Sequence, residues 1–269
     1  MIRIPCPAKL NLFLSVGPRD SRGFHPIRTV FQAISLFDEL QLERSSVDSF
    51  ECDRDLPEAN TVTRAWSLLR EVVPLPPLRV VLRKGIPTEA GLGGGSSDAA
   101  GLLRGVEALL ELEIPRAERA ALALAVGADV PFFLLGGRAV GEGYGEKLTP
   151  LPDPTDQWAV VVKPSAGCPT GLMYRALDQK DYPWRELGEG TDFYNDFERV
   201  APCQCLDLIE RLQVLGADKA GLSGSGSAVF GTVPDRPHAE RLAARLATEG
   251  HDGAFVVKFL SRAESTHIS

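Results

Sequence analysis

The sequence predicts an α+β protein built in two halves. Three observations carry that reading. Short stretches alternate apolar and polar residues at the period of strands, helical apolar stripes are interspersed among them, and the run Pro150-Leu151-Pro152-Asp153-Pro154 interrupts the chain past its midpoint. The 269 residues fit either one elaborate domain or two domains sharing a cleft, at a prior of about 150 residues per domain. A chain of this size removes roughly three quarters of its unfolded surface from water and needs no disulfide to hold a core. With 44% hydrophobic and 24% charged residues the composition is that of a globular protein, while 26 Gly and 20 Pro demand many turns and exclude a long coiled coil.

The elements follow in order. Leu10, Leu12, Leu14 and Val16 alternate with Lys9, Asn11, Phe13 and Ser15, so a strand runs here with Lys9 and Asn11 on one face. A turn over residues 17–23 leads to two further short strands, around Ile27 to Leu36 and Glu39 to Arg44. A helix is predicted from Thr61 to Val73 with Asn60 as its N-cap, then a strand from Leu78 to Leu82 that delivers the chain into the glycine-rich residues 85–95. Ala99, Leu102, Leu103, Val106, Leu109 and Leu110 share one helical face, with Ser96, Ser97 and Asp98 at the helix start. A shorter helix spans Arg116 to Val126, and Arg138 to Leu148 reads as a hairpin. After the proline-rich break come a strand (Trp158 to Val162), a helix (Thr170 to Asp178), an irregular segment, a helix (Cys203 to Leu215), a turn, a strand (Ala228 to Val233), a helix (Pro237 to Ala247) and a strand (Ala254 to Phe259). There is no internal repeat and no low-complexity tract.

Several functional classes are excluded. Lys plus Arg total 29 against 36 Asp plus Glu, a formal charge of -7, and no basic run is dense enough to follow a nucleic-acid backbone. Small phosphorylated ligands remain open, because a few cations and backbone N–H groups suffice to hold them. Cys6, Cys52, Cys168, Cys203 and Cys205 form no C-x-x-C pair, so they read as reduced thiols in a cytoplasmic protein; Cys203 and Cys205 lack a second ligand pair and are not a metal site. No signal peptide is legible at the N-terminus. The longest apolar stretch, Ala120 to Gly137, is broken by Asp129 and Pro131, which fits a kinked core segment and not a membrane span.

The sharpest chemical signal is the run from Pro87 through Gly91-Leu92-Gly93-Gly94-Gly95-Ser96-Ser97 to Ala100. Consecutive glycines let backbone N–H groups converge, and the following helix aims its positive N-terminus at the same point, which is what a polyphosphate needs. The run is neither a Walker A loop, lacking the Lys before the Ser pair, nor a dinucleotide fingerprint, having Ser96 at the third glycine position. The bland alternative is a turn capped by Ser96 or Ser97. A second cluster, Gly221 to Ser227, suggests a ligand touched from both halves; its bland alternative is a flexible turn. In Gly127-Ala128-Asp129-Val130-Pro131-Phe132 a carboxylate lies among apolar residues. It either caps a helix with Pro131 in the first turn or pairs with a cation, for which Lys9 is the candidate.

Taken together, Pro7-Ala8-Lys9-Leu10-Asn11-Leu12-Phe13-Leu14, the loop Ala90 to Ala100, the Gly-Ala-Asp-Val-Pro-Phe segment and the late Gly-Ser-Gly cluster resemble the GHMP kinases in order and spacing, over nearly the whole chain from Pro5 to Val257. Gly23-Phe24-His25-Pro26 and Asp192-Phe193-Tyr194-Asn195-Asp196 point to the branch whose acceptor carries a cytidine diphosphate. The resemblance implies a two-domain GHMP kinase fold, residues 1–150 and 151–269, with the active site in the interdomain cleft. It implies phosphorylation of a tertiary hydroxyl by ATP, with Mg²⁺ expected alongside and no carboxylate singled out as its ligand.

By position the resemblance assigns Asp129 as the catalytic aspartate and Lys9 as the lysine beside it. Asn11, Phe24, His25 and Phe193 fall on substrate-binding positions, the aromatic rings flanking cytosine and His25 at its edge. Asn60 and Lys84 fall near adenine, and Gly91, Leu92, Gly93, Gly94, Gly95, Ser96 and Ser97 form the phosphate loop. Phe24 stands where many members carry Tyr, which keeps a ring and loses a hydroxyl. Phosphoryl transfer rests on positioning and charge stabilisation, so backbone donors, one cation and one carboxylate make a sufficient set. Without the resemblance, core packing accounts for Phe24 and Phe193, and a surface turn for His25. The alternatives are a kinase of the same superfamily acting on mevalonate, homoserine or a sugar, and a kinase-like ligand sensor without turnover. The first lacks a use for the cytidine pocket, and the second has no need of Lys9, Asn11 and Asp129 together.

Overall fold

A computed structural model of the protein describes residues 1–188, 193–251 and 253–268. In chain order its elements are β1 (Ile2–Val16), β2 (Ile27–Arg44), β3 (Ser49–Cys52), α1 (Thr61–Val72), β4 (Leu78–Arg83), α2 (Gly94–Leu110), α3 (Arg116–Val126), α4 (Val130–Leu135), β5 (Arg138–Glu142) and β6 (Lys147–Pro150). They continue with β7 (Trp158–Val162), α5 (Thr170–Leu177), β8 (Tyr194–Asn195), a 3₁₀ turn (Asp196–Arg199), α6 (Cys203–Val214), β9 (Lys219–Leu222), β10 (Val229–Val233), α7 (Arg236–Thr248), β11 (Phe255–Lys258) and α8 (Arg262–Thr266).

The first sheet runs β3-β4-β2-β1-β8. Strand β2 is long enough to hold β4 along Glu39–Arg44 and β5 along Thr29–Gln32, and β6 extends the sheet beyond β5. The sequence alternation suggests two strands between Ile27 and Arg44, but the chain forms one. A bulge explains the difference. Pro7 faces Phe37 while the next residue, Ala8, faces Ile34, so Ser35 and Leu36 have no partners on β1 and the apolar phase slips there. The second sheet is β11-β7-β10-β9, antiparallel throughout. Strand β9 reads as a turn in the sequence; its Lys-Ala-Gly-Leu carries no alternation, and pairing with β10 makes it a strand.

Three apolar clusters hold these layers. One joins α1, α2, α3 and α4 to the first sheet, with Leu40, Leu42, Leu69, Leu82 and Leu102 fully buried. A second joins α6 and α7 to the second sheet through Leu208, Leu212, Leu242 and Val229. The third lies between the sheets, where Ala8, Leu10, Leu12 and Ile34 meet Val161, Phe230, Val257 and Phe259. Each of the large aliphatic side chains so buried contributes about 1.5–3 kcal/mol, so the two halves are joined by a core and not by a linker alone. The kink anticipated within residues 120–137 is a break between α3 and α4. Among the described residues no helix is long and apolar enough to cross a membrane.

Helix α1 begins where its cap dictates. Asn60 Oδ1 accepts from the N–H groups of Val62 and Thr63 at 3.0 and 3.1 Å, and Thr63 Oγ1 accepts from Asn60 N–H at 3.0 Å, a reciprocal capping box. Helix α2 does not use Ser96 or Ser97 in this way. It starts at Gly94, with Gly93 as N-cap in the left-handed region and no side-chain capping bond. Asn60→Ala removes two acceptor contacts, so thermal unfolding should show a loss of about 1 kcal/mol, or roughly 2–4 °C in Tm. Asn60→Asp, which caps equally well, should melt close to the parent.

Candidate active site

The glycine loop is pinned before it is shaped. Ala90 and Leu92 are buried in the core between the sheets, and the backbone N–H of Lys9 on β1 donates to Leu92 O at 2.9 Å. Between and beyond these anchors, Gly91 and Gly93 both take φ +73°, a conformation that L side chains rarely adopt. Gly91 is also sterically bound to be glycine, since a Cβ there would lie 2.0 Å from the carbonyl oxygen of Ser223. The loop thereby turns straight into the N-terminus of α2, a helix of 17 residues whose first-turn residues Gly94, Gly95 and Ser96 line the cleft.

The second glycine cluster meets the first. Ser223 Oγ donates to Gly91 O at 3.0 Å and Ala228 N–H donates to Ala90 O at 3.0 Å, so Gly224 and Ser225 join the wall of the same cavity. That cavity has a volume of about 460 Å³ and lies between the two halves. Lys9, Asn11, Asn60, Lys84, Asp129 and the loop from Gly91 to Ser96 all line it. Ser97 does not; it is fully buried behind the loop, and its N–H donates to Gly93 O at 2.9 Å.

On the cleft floor Lys9 Nζ donates to Asn11 Oδ1 at 2.5 Å and to Gly91 O at 2.8 Å, and stands 3.7 Å from Asp129 Oδ2. Asn11 is itself fixed by its Nδ2, which donates to Thr29 Oγ1 at 2.8 Å. Burial pulls the Lys9 ammonium below its ordinary pKa of 10.5, against the opposing pull of Asp129. Asp129 occupies the N-cap position of α4, with Pro131 in the first turn, yet its side chain makes no capping bond. The carboxylate turns instead toward Lys9 and is part open to the cleft, with 30% of the side chain exposed.

Asn60 and Lys84 line the same cavity beside Leu56, Val62, Leu82 and Ile86, with Lys84 Nζ against the glycine loop at Gly94. Both polar groups are already engaged: Asn60 caps α1, and Lys84 Nζ donates to Asp38 and, at 2.7 Å, to Asp98. In the sequence Asp98 stands out only as part of a helix start, and Asp38, between the two strands expected there, does not stand out at all.

The aromatic residues expected to form a cytosine pocket are not brought together. Phe24 is 63% exposed and stands edge-on to Tyr144, a cleft residue, with ring centroids 5.9 Å apart. The His25 ring stacks on Tyr174, which also lines the cleft, with centroids 5.1 Å apart; its Nδ1 lies 3.0 Å from Gly17 O and its Nε2 3.1 Å from Asp178 Oδ1. Phe193 lies elsewhere. Strand β8 pairs with β1 so that Tyr194 is opposite Phe13, which sets Phe193 next to Leu12 in a separate cavity, against Phe230 at 5.6 Å and under Lys219. A sandwich of Phe24 and Phe193 is therefore absent from this geometry. Asp192 of the same motif lies outside the described residues. Tyr174 carries no signal of its own in the sequence, being one aromatic residue in an ordinary amphipathic helix.

Comparison with known proteins fits this geometry. The GHMP kinases N terminal domain matches residues 60–137 and the GHMP kinases C terminal domain matches residues 186–252. The chain is 36% identical over 271 residues to 4-diphosphocytidyl-2-C-methyl-D-erythritol kinase of Moorella thermoacetica, covering 91% of this chain and 95% of the relative. It is 38% identical to the same kinase of Symbiobacterium thermophilum, covering 96% and 100%. The chain belongs to the 4-diphosphocytidyl-2-C-methyl-D-erythritol kinase family of GHMP kinases. A crystal structure of 4-(cytidine 5'-diphospho)-2C-methyl-D-erythritol kinase superposes on this GHMP kinase with a TM-score of 0.82 at 36% identity, covering 95% of this chain and 98% of that one. Homoserine kinase from Cytophaga hutchinsonii shares the fold, with a TM-score of 0.75 at 18% identity, covering 100% and 97%.

The contact between the two glycine loops gives a direct test in this kinase. Gly91→Ala places a methyl group against the Ser223 carbonyl at a left-handed position and should cost about 1–2 kcal/mol from the backbone conformation alone. Calorimetry should show a lowered Tm, and titration should show weakened ATP binding, because the loop can no longer close on the second cluster. Unchanged ATP affinity would mean that the loop contact has no part in nucleotide binding.

Proposed function

We propose that this GHMP kinase transfers the γ-phosphoryl group of ATP to the 2-hydroxyl of 4-diphosphocytidyl-2-C-methyl-D-erythritol, a step of the non-mevalonate route to isoprenoid precursors. The observation that carries the reading is the placement of the Lys9–Asp129 pair, 3.7 Å apart, in the same cavity as the N-terminus of α2. A phosphate donor site and a proton-accepting carboxylate beside a cation are the parts that transfer to an alcohol requires. Five unpaired thiols accord with a reducing, cytoplasmic setting.

In this reading the backbone N–H groups of Gly91 to Ser96 hold the polyphosphate, and the acceptor hydroxyl lies between Asp129 and Lys9. Asp129 accepts the hydroxyl proton as the oxygen attacks phosphorus. Lys9, fixed by Asn11 and by Gly91 O, stands beside the carboxylate and offsets negative charge on the group in transit. Cytidine is placed against the wall made by Tyr174 and His25, with Phe24 at the mouth; the stacking role expected of Phe193 passes to Tyr174. Among the described residues there is no group of three or more His, Cys, Asp or Glu able to hold a metal ion. Mg²⁺, expected with ATP, would be held by phosphate oxygens and water with at most one or two carboxylates, as is usual for this ion, and would supply charge neutralisation on the polyphosphate.

Asp129→Asn should lower kcat by about 10²–10⁴-fold; the side chain caps nothing, so a fall in Tm should come only from the weakened contact with buried Lys9. ATP affinity should be unaffected. A fully active Asp129→Asn enzyme would contradict the mechanism. Activity also requires charged Lys9, whose pKa is depressed from 10.5, so the alkaline limb of the kcat–pH profile should fall below the ordinary lysine range. A kcat still flat at pH 10.5 would remove Lys9 from the chemistry. Assayed with ATP against the diphosphocytidyl substrate, mevalonate, homoserine and galactose, the enzyme should turn over the first alone. Equal turnover of another acceptor would move the chain to a different kinase branch, and binding without turnover would make it a sensor.

A further inference from the structure

The cavity that takes in Phe193 lies away from the catalytic cleft. Gly224 and Ser225, which wall the cleft, sit in the loop that joins β9 to β10 at one end of the second sheet. Lys219 at the start of β9 and Val233 at the end of β10 lie at the other end, and they line the Phe193 cavity. Its volume is about 260 Å³. The floor is apolar, made by Phe193 and by Leu12 and Phe259, both buried in the core between the sheets.

Two cations stand over that floor. Arg138 on β5 is half-buried; its Nε donates to Gln32 Oε1 at 2.7 Å and its Nη2 to Gln157 Oε1 at 2.8 Å. Gln32 is fully buried and is fixed by its own Nε2, which donates to Ala33 O at 2.7 Å and Leu260 O at 3.0 Å. The guanidinium is therefore aimed by neutral amides, which hold it in place and leave its charge uncancelled. It stands 5.8 Å from the centroid of the Phe259 ring, and Lys219 Nζ stands 5.2 Å from that of Phe193. Among the described residues neither cation has a carboxylate oxygen within 4.0 Å. Asp153 bears on Arg138 from further off and accepts the Arg262 backbone N–H at 2.9 Å, while Asp218 lines the cavity beside Lys219. Burial pulls the Arg138 guanidinium below its ordinary pKa against the pull of Asp153, the mark of a charge that is partly desolvated and not neutralised. Two cations against one lining carboxylate make this cavity positive within a chain whose formal charge is -7.

We propose that this cavity is a second binding site, separate from the catalytic cleft, for a small organic phosphate whose head lies between Arg138 and Lys219 and whose apolar body rests on Leu12, Phe193 and Phe259. Two cations call for a head with close to two negative charges and several acceptor oxygens, which a phosphate monoester supplies and a carboxylate does not. Each cation stands over an aromatic ring of the floor, so a head held between them sets the attached body against those rings. The volume falls below the range of about 300–1,000 Å³ usual for ligand pockets, so it admits a single ring or a short branched chain and excludes a nucleotide. Neither cation takes part in phosphoryl transfer, and the site stands whether or not the cleft takes ATP.

Calorimetric titration of the full chain with phenyl phosphate, with and without saturating ATP, tests this directly; inorganic phosphate serves as the head without the body. Saturable one-to-one binding is expected in both conditions, at least about tenfold tighter than inorganic phosphate because one ring is buried. Lys219 and Asp218 are exposed, so neither variant at these positions disturbs the core. Lys219→Gln should weaken phenyl phosphate at least about fivefold and keep the parent kcat, and Asp218→Asn should tighten it about twofold. Phe193→Ala should weaken phenyl phosphate and leave inorganic phosphate within about twofold, since only the body touches the ring. Absence of saturable binding to the parent, equal affinity for the two phosphates, or binding unchanged in Lys219→Gln would overturn the proposal. Displacement of phenyl phosphate by ATP would place it in the cleft and overturn it as well. A chain that binds no ATP and still shows Lys219-dependent phenyl phosphate binding would refute the reading of the cleft and support this one.

Discussion

The cleft depends on one buried ammonium. An unpaired charge at the position of Lys9 would cost several kcal/mol, so the surrounding chain must supply partners, and the partners are the parts of the active site. Gly91 O comes from the glycine loop, Asn11 Oδ1 from the same strand, and Asp129 from the start of α4. Gly91 O accepts from Ser223 as well, which brings in the second glycine cluster from the other half. Four segments spread along most of the chain are thus held at one point by the need to solvate one cation. The group that stabilises charge in transfer is also the group that sets where the loop, the carboxylate and the second half must lie.

The fold alone does not choose the acceptor. The core between the sheets, the bulged pairing of β1 with β2 and the entry into α2 build a place for a polyphosphate beside a carboxylate. What would read the rest of the substrate sits on less regular parts: the turn that bears Phe24 and His25, and the short helix α5 that bears Tyr174. His25 is locked there by ring stacking and by Gly17 O and Asp178, contacts that join the two halves near the cleft mouth. Keeping the transfer machinery while altering this wall is a physically simple way to change the alcohol that is phosphorylated.

Local signals make much of this architecture legible. The Asn60 cap locates α1, the apolar stripe locates α2, and the run from Trp158 to Val162 locates β7 at its observed bounds. Alternation places Lys9 and Asn11 on one face, and both line the cleft. Long-range register escapes the sequence. Strands β8 and β9 are two and four residues long and exist because a neighbour pairs with them. Phe193 lies in a different cavity from the one expected for the same reason: one residue of shift along β8 decides which side of the sheet a side chain joins. Asp38 is invisible as a site residue because it falls between two expected strands, where a polar side chain is ordinarily solvated, and only the folded chain brings it to Lys84 and to the N–H groups of Gly85 and Ile86.

In the proposed mechanism Asp129 takes a proton and never bonds to phosphorus. A carboxylate in a kinase cleft has another chemical option, attack on the γ-phosphorus to form an acyl phosphate that is then passed to the alcohol. The stereochemical outcome at phosphorus separates the two. With ATP made chiral at the γ-position by oxygen isotopes, the configuration of the product phosphate ester reports the number of displacements. Direct in-line transfer to the substrate hydroxyl predicts inversion; retention would show a phosphorylated enzyme intermediate and contradict the proton-accepting role of Asp129.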